Sequence, residues 1–517
     1  MKYSKLLLMS FLSFFILFSF SQSYSLPHST PEAEGVSAKA ISVFLDSVNK
    51  SKHEFHSFML LRHGKVIAEG WWNPYRKDLK HSLYSLSKSF TATAVGFARA
   101  EGKLSLSDKV ISFFPDQVPD NGSPYLQELT VKDLLTMSVG QEPDPTGLVV
   151  QDSNWIRRFL SLPIKYEPGT TFLYNSMATY MLSAIVQKVT GEKVIDYLQP
   201  RLFQPLGITG IDWETDPKGI NTGGWGLRLK TEDIAKFGQL FLQKGKWNGK
   251  QILPEGWVEE ASTVKIIQHP SYSQAKRDSS DWEQGYCYQM WRCRHNGYRG
   301  DGAFGQYAIV LPDEDAVIAI TSETGDMQGE LNLIWKILLP AMNHSPLKPD
   351  SKADLELTKK IAALNLPLKI KNAMSTTPKK LNGRSYSFED NPLKIHSMKF
   401  EMKEAVYTVT ITTDYGTYPF HFGHADWTTG ETTLHGPYLV SVAQHNLTGL
   451  PPFKVAGEYA WLDKNTLELV LRYIESPHSE TLICHFIDNS INVDVKRSFN
   501  TQTPDAVVHL KSNPQTP

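Results

Sequence analysis

The first sustained pattern along the chain is Ser37 to Val48, where Ile41, Phe44, Leu45 and Val48 recur at helical spacing. Two apolar runs follow, His56 to Arg62 and Lys65 to Gly70, and His63-Gly64 between them predicts a hairpin. From Ser85 to Ala98 the residues are small or apolar on nearly every side, as a helix buried inside a domain must be. The region onward to about Lys250 reads as mostly helical, with stop signals at Gly102, Gly191 and Gly207. Strand character returns at Gln284 to Arg294, Tyr298 to Leu311 and Ala316 to Thr321, and a helix is predicted from about Gly329 to Met342. Strands near both ends with helices between them predict an α+β fold: one antiparallel sheet flanked by helices, with an inserted helical region, over residues 26–342.

Beyond that domain the composition shifts to Pro, Lys and Ser, and residues 343–380 read as a linker around one short helical stretch, Asp354 to Leu364. Residues 381–500 alternate instead, as in Thr466 to Tyr473 with Leu467, Leu469, Leu471 and Tyr473 on one face. Eight or nine such strands predict an all-β sandwich or barrel, followed by a tail at 501–517. At the other end, Lys2 and Lys5 precede an apolar run from Leu6 to Phe20 that ends in small residues, so residues 1–25 read as a cleaved secretory signal. The run is short and interrupted by Ser10, Ser13 and Ser19, which argues against a stable membrane anchor. The expected location is therefore periplasmic or secreted.

Charge narrows the partners. With 53 Lys plus Arg against 54 Asp plus Glu, the net charge of -1 provides no basic field for nucleic acid or an anionic membrane. The three cysteines, Cys287, Cys293 and Cys484, are expected to be buried free thiols, because the first two would sit about 20 Å apart along one extended strand. Cys293 with His295 is too sparse for zinc, and His421 and His424 fall on opposite faces of a strand, so no metal and no cofactor are expected.

Candidate chemistry begins at Ser85-Leu86-Ser87-Lys88. Three residues apart on a helix, the hydroxyl and the amine share one face, and a lysine held neutral by burial can take the serine's proton. The spacing also occurs from Ser47, Ser262, Ser273 and Ser345, but only the copy at Ser85 opens a run fit for burial. A relay for the proton is offered by Tyr174, which lies just before a helix with Met177, Met181, Ala184, Ile185 and Val189 on its apolar face. Finally, Gly300, Gly302 and Gly305 enter a strand, where so many glycines imply close approach of another group to the backbone.

In order and spacing, Ser85 to Lys88, Tyr174-Asn175-Ser176 and Gly300-Asp301-Gly302 resemble the three motifs of the serine β-lactamase and penicillin-binding-protein superfamily. The resemblance is to its class C-like branch of esterases, D-amino-acid peptidases and nylon-oligomer hydrolases, and it covers about residues 30 to 340, including Gly223-Gly224-Trp225-Gly226. It implies a serine hydrolase acting on a small ester, amide or short peptide through an acyl-enzyme. Ser85 would be the nucleophile, Lys88 the base and Tyr174 the relay, with the N–H groups of Ser85 and Ala303 as the oxyanion hole. Asn175 or Ser176 would contact the substrate, Trp225 would wall the pocket, and Asp301 would lie beside it. Two departures stand out: the second motif has Asn one place early, and the third has Gly300 where relatives carry a cation. The alternatives are a peptidoglycan D,D-peptidase or β-lactamase, and a catalytically silent binding or sensor protein on the same fold.

Overall fold

The computed structural model describes residues 25–120, 122–368, 381–443, 448–499 and 506–513, so the signal segment read at 1–25 lies almost wholly outside the described residues. Helix α1, Ala38–Lys50, buries the four periodic residues Ile41, Phe44, Leu45 and Val48. It rests on a six-stranded antiparallel sheet made of β1 Glu54–Arg62, β2 Lys65–Trp71, β3 Trp291–Arg292, β4 Tyr298–Gly302, β5 Gln306–Leu311 and β6 Ala316–Glu323. The spatial order is β2-β1-β6-β5-β4-β3, so strands from both ends of the domain meet in its middle. The tight β1–β2 turn needs left-handed backbone at His63 and Gly64, with φ of 49° and 72°.

Both faces of the sheet are covered, which is why β1 and β6 are buried nearly throughout rather than alternating. Phe58, Leu60, Ile309, Ile318 and Ile320 face α1 and the helical segment after Met327. Met59, Leu61, Ala308, Val317 and Ala319 face the helical region, where α2 Ser87–Ala100, α3 Ser176–Thr190 and α4 Thr231–Leu242 lie. Helix α4 sits tightly on the sheet because Gly238 has no side chain; a Cβ there would lie 2.6 Å from Val317.

Two sequence expectations are corrected. Gln284 to Arg294 is not one strand: the chain reverses at Gln289, φ 57°, and Cys287 N–H donates back to the Met290 carbonyl at 2.9 Å. The reversal is held by the Gln289 amide, which donates to the Leu134 and Leu135 carbonyls and accepts from Thr179. The cysteines are nonetheless free and buried, Cys293 lying 3.2 Å from the Arg299 guanidinium. Likewise Tyr298 to Leu311 divides into β4 and β5 at Ala303-Phe304-Gly305, where Phe304 and Gly305 have φ of 68° and 96°.

Within the stretch read as a linker, α5 Ser351–Ala362 returns to α1, and Lys360 pairs with Asp46 at 2.6 Å. Leu364 then lies against Gly70 of β2, and Leu366 N–H donates to the Asn73 carbonyl at 2.9 Å, so this segment covers the sheet's edge strand. Among the described residues of the C-terminal part, ten strands form one curled sheet. Its ends approach through the Phe388–Ser512 bridge, giving a barrel-like wall around Met398, Phe400, Val409, Leu469 and Leu482.

Strand Thr466–Tyr473 shows how the barrel meets the first domain. Leu467, Leu469 and Leu471 point into the barrel, whereas Val470 joins Trp427, Ala456 and Ile474 in the core beneath α1. Arg472, on that outer face, grips Glu54 at 2.5 and 3.0 Å. Burial pushes the Glu54 carboxyl up, but Arg472 and His56 outweigh it and hold the pKa at about 2.

Candidate active site

Ser85 lies in a short turn, Tyr84–Leu86, that runs directly into α2, and Lys88 follows one turn later. The Lys88 Nζ is 3.2 Å from Ser85 Oγ, 3.1 Å from Ser176 Oγ and 2.6 Å from the Gly224 carbonyl oxygen. Lys88 is only 1% exposed. Burial pulls its pKa down to about 7, while the carboxylates of Asp144 and Asp301 act in the opposite direction. A neutral amine has two N–H donors and one lone pair. As an ammonium Lys88 donates to all three oxygens; once neutral it can keep donating to the carbonyl and Ser176 while its lone pair faces the Ser85 hydroxyl. This arrangement can lift a proton from Ser85 and return it.

The Gly224 carbonyl reaches Lys88 because its loop presses against two helices. A Cβ on Gly223 would lie 2.8 Å from Ser183 Cβ, and one on Gly224 would lie 2.7 Å from the Ser176 carbonyl oxygen. Thr91 donates to the Gly223 carbonyl at 2.9 Å and Ser183 to that of Asn221 at 2.7 Å, fastening the loop to α2 and α3.

Helix α3 divides the labour of two adjacent polar residues. Asn175 is the N-cap, its Oδ1 accepting from the backbone of Met177 and Ala178 at 2.9 and 3.1 Å, and its amide donates to Gln141. With the cap supplied, Ser176 turns toward Lys88. Tyr174 places its ring centroid 5.0 Å from Lys88 Nζ and stacks on Trp291 at 5.8 Å. Burial, helped by the Asp301 carboxylate, pushes its phenol well up, so it stays protonated, while the Ser85 side chain acts in the opposite direction.

The third segment is the β4–β5 hairpin. A Cβ on Gly302 would overlap the Leu83 carbonyl oxygen, and one on Gly300 would overlap Leu86 and come within 2.7 Å of Ser89 Oγ. The close approach implied by these glycines is therefore to the segment carrying Ser85, and a side chain at 300 would have to displace Leu86 and Ser89. Ala303 follows in the hairpin turn. Asp301 points to the other face of the strand, where Arg299 Nε holds its carboxylate at 2.9 Å. Trp225 is buried against Trp155, ring centroids 5.9 Å apart. The structure thus gathers Ser85, Lys88, Tyr174 and Ser176, whereas Asn175 serves the helix and Asp301 is engaged by arginine.

Sequence reasoning missed the Gly224 carbonyl, Gln141 and Asp144. A backbone acceptor has no residue signature, although the paired glycines at 223 and 224 marked the loop; Asp144 reaches the site only by its charge on Lys88 and Tyr174. The Beta-lactamase family model matches residues 56–339, more than half of the chain. The chain belongs to the β-lactamase family. A 6-aminohexanoate-dimer hydrolase of Paenarthrobacter ureafaciens is 26% identical over 57% of this β-lactamase-family chain and 80% of its own length. Among solved structures, the octameric penicillin-binding protein homologue from Pyrococcus abyssi matches with a TM-score of 0.47 at 17% identity, covering 92% of this chain and 99% of that one. A D-stereospecific amidohydrolase from Streptomyces sp. matches with a TM-score of 0.46 at 17% identity, covering 59% and 99%.

Proposed function

We propose that this β-lactamase-related hydrolase cleaves a small ester or amide through a covalent acyl-enzyme on Ser85. The observation that carries the reading is the buried Lys88 amine, poised at about pKa 7 and 3.2 Å from the Ser85 hydroxyl. Ser85 Oγ adds to the substrate carbonyl carbon as its proton passes to Lys88. The oxyanion accepts from the N–H groups of Ser85 and Ala303. Collapse breaks the bond to the alcohol or amine, which leaves with the proton returned by Lys88 through Tyr174. Water then repeats the sequence on the acyl-enzyme and frees Ser85. Intact-mass analysis after a serine-reactive fluorophosphonate, with the adduct mapped to a peptide, tests this; an adduct elsewhere, or none, overturns it. Export to the periplasm or medium is part of the same proposal, carried by residues 1–25, and the mass of protein recovered from those fractions checks it.

Because the amine must be neutral to accept the proton, kcat/KM for an ester is expected to rise with pH and level off, with a midpoint about 7. Below that midpoint Lys88 is an ammonium and cannot act as base. A flat profile from pH 5 to 9 for a folded enzyme would remove Lys88 from that role.

The substrate should lack a carboxylate beside the scissile bond. Gly300 supplies no cation, the Arg299 guanidinium is committed to Asp301, and the charges of Asp144 and Asp301 act on the Lys88 amine. Leaving a substrate carboxylate unpaired costs several kcal/mol, and about 1.4 kcal/mol is tenfold in rate. A chromogenic cephalosporin is therefore expected to turn over at least about 100-fold less efficiently than a p-nitrophenyl ester. Comparable kcat/KM values would favour a β-lactamase or D,D-peptidase instead.

A further inference from the structure

We propose that His478, carried by the C-terminal barrel, is a positioning residue for acylation, clamping the aromatic side chains that flank the two oxyanion donors and so fixing the donors' spacing. This rests on the acyl-transfer reading above, in which the donors are the N–H groups of Ser85 and Ala303. The residue before Ser85 is Tyr84 and the residue after Ala303 is Phe304. Both have left-handed backbone, φ 46° and 68°, which bulky residues rarely adopt and which persists only where the surroundings enforce it.

His478 contacts both residues. Its Nε2 lies 2.6 Å from the Tyr84 hydroxyl, and its ring stands edge-on to Phe304 with centroids 4.7 Å apart and planes at 88°. Tyr84 and Phe304 also meet each other, at 5.6 Å, and Phe499 covers the imidazole at 4.0 Å. The imidazole is fully buried, and its orientation is set on the far side by Glu323, whose Oε1 lies 2.6 Å from Nδ1 and accepts from Ser498 Oγ at 2.7 Å. A carboxylate at Nδ1 fixes the proton there, which leaves Nε2 to accept from the Tyr84 phenol. Behind Phe304, its carbonyl oxygen accepts from Ser322 Oγ at 2.9 Å and from Thr324 N–H at 3.0 Å, so the hairpin is held from β6 as well. Thus one barrel side chain ties together the two backbone segments whose separation decides whether both N–H groups can reach one oxygen.

The test uses the full-length enzyme, with Tyr84→Phe, His478→Ala and His478→Gln compared by ester kinetics, thermal unfolding and affinity for an arylboronic acid, whose tetrahedral adduct needs the oxyanion donors. Misplacing reacting groups by about an ångström, or losing one donor, costs on the order of 100-fold. Tyr84→Phe and His478→Ala are expected to lower kcat about 10- to 100-fold and to weaken the boronate in parallel, with KM within about twofold. His478→Gln, which can accept from Tyr84 and donate to Glu323, is expected to recover most of kcat. Tyr84→Phe removes only a hydroxyl, so it remains informative if His478→Ala fails to fold. Wild-type kcat and boronate affinity in a folded Tyr84→Phe variant, or losses that track only the unfolded fraction, would overturn the positioning role while leaving Ser85 labelling intact. Absence of both turnover and a Ser85 adduct in the unmodified enzyme would overturn the acyl-transfer reading itself, and this inference with it.

Discussion

Ser85→Ala is expected to reduce ester turnover by several orders of magnitude while leaving the fold unchanged, and to abolish fluorophosphonate labelling. The size follows from the role: in an acyl-transfer site, removing the nucleophile costs about 10⁴- to 10⁶-fold in kcat, and the residual rate comes from the oxyanion donors and binding. The fold should be spared because the Ser85 hydroxyl is half-buried and touches only the reacting groups, while Lys88 keeps the Gly224 carbonyl and Ser176 as partners. The measurements are kcat for a p-nitrophenyl ester, the unfolding temperature and the labelled mass. A folded variant retaining more than about a tenth of the activity would mean that another group attacks the substrate.

How much of this was legible in the sequence depends on the distance over which each interaction acts. Ser85 and Lys88 were readable because three residues of helix bring them to one face, and Tyr174 because it stands just ahead of a strongly patterned helix. The exchange of roles between Asn175 and Ser176 was not, since both residue types make good N-caps and only the partners decide; here Gln141 orients Asn175. The hairpin at Ala303 was hidden because Tyr298 to Leu311 looks strand-like throughout, and glycine permits a turn without announcing it. Trp225 illustrates the same limit, its packing on Trp155 depending on a residue 70 positions away. In the barrel, alternation revealed the inward face of Thr466–Tyr473, but nothing local showed that Val470 and Arg472 on its outer face meet another domain.

Removing everything after Met342 is expected to yield a chain that neither stays soluble nor labels. The sequence reading placed a linker there, and composition alone supports a cut at that point. In the structure the following residues do the work of a domain wall: Leu357, Leu364 and Leu366 bury themselves against α1 and β2, and Trp427, Val470 and Ile474 extend the same core from the barrel. Each large apolar side chain buried stabilises by roughly 1.5–3 kcal/mol, so these six together are as large as the whole of the roughly 5–15 kcal/mol by which domains are stable at all. The surfaces they leave include the Asn73 end of the edge strand β2, which would lose its pairing with Leu364 and Leu366 while Pro27 and Ser29 still pair with Val66. A chain ending at Leu368 keeps α5 and the segment along β2 but loses Arg472 and His478. It is expected to be more soluble than the shorter chain, yet to acylate slowly, because Tyr84 and Phe304 are no longer clamped. Soluble yield, resistance to proteolysis and the rate of fluorophosphonate adduct formation distinguish the three lengths. Rapid, full labelling by a monomeric chain ending at Met342 would show that both α5 and the barrel are dispensable to the core and to the site.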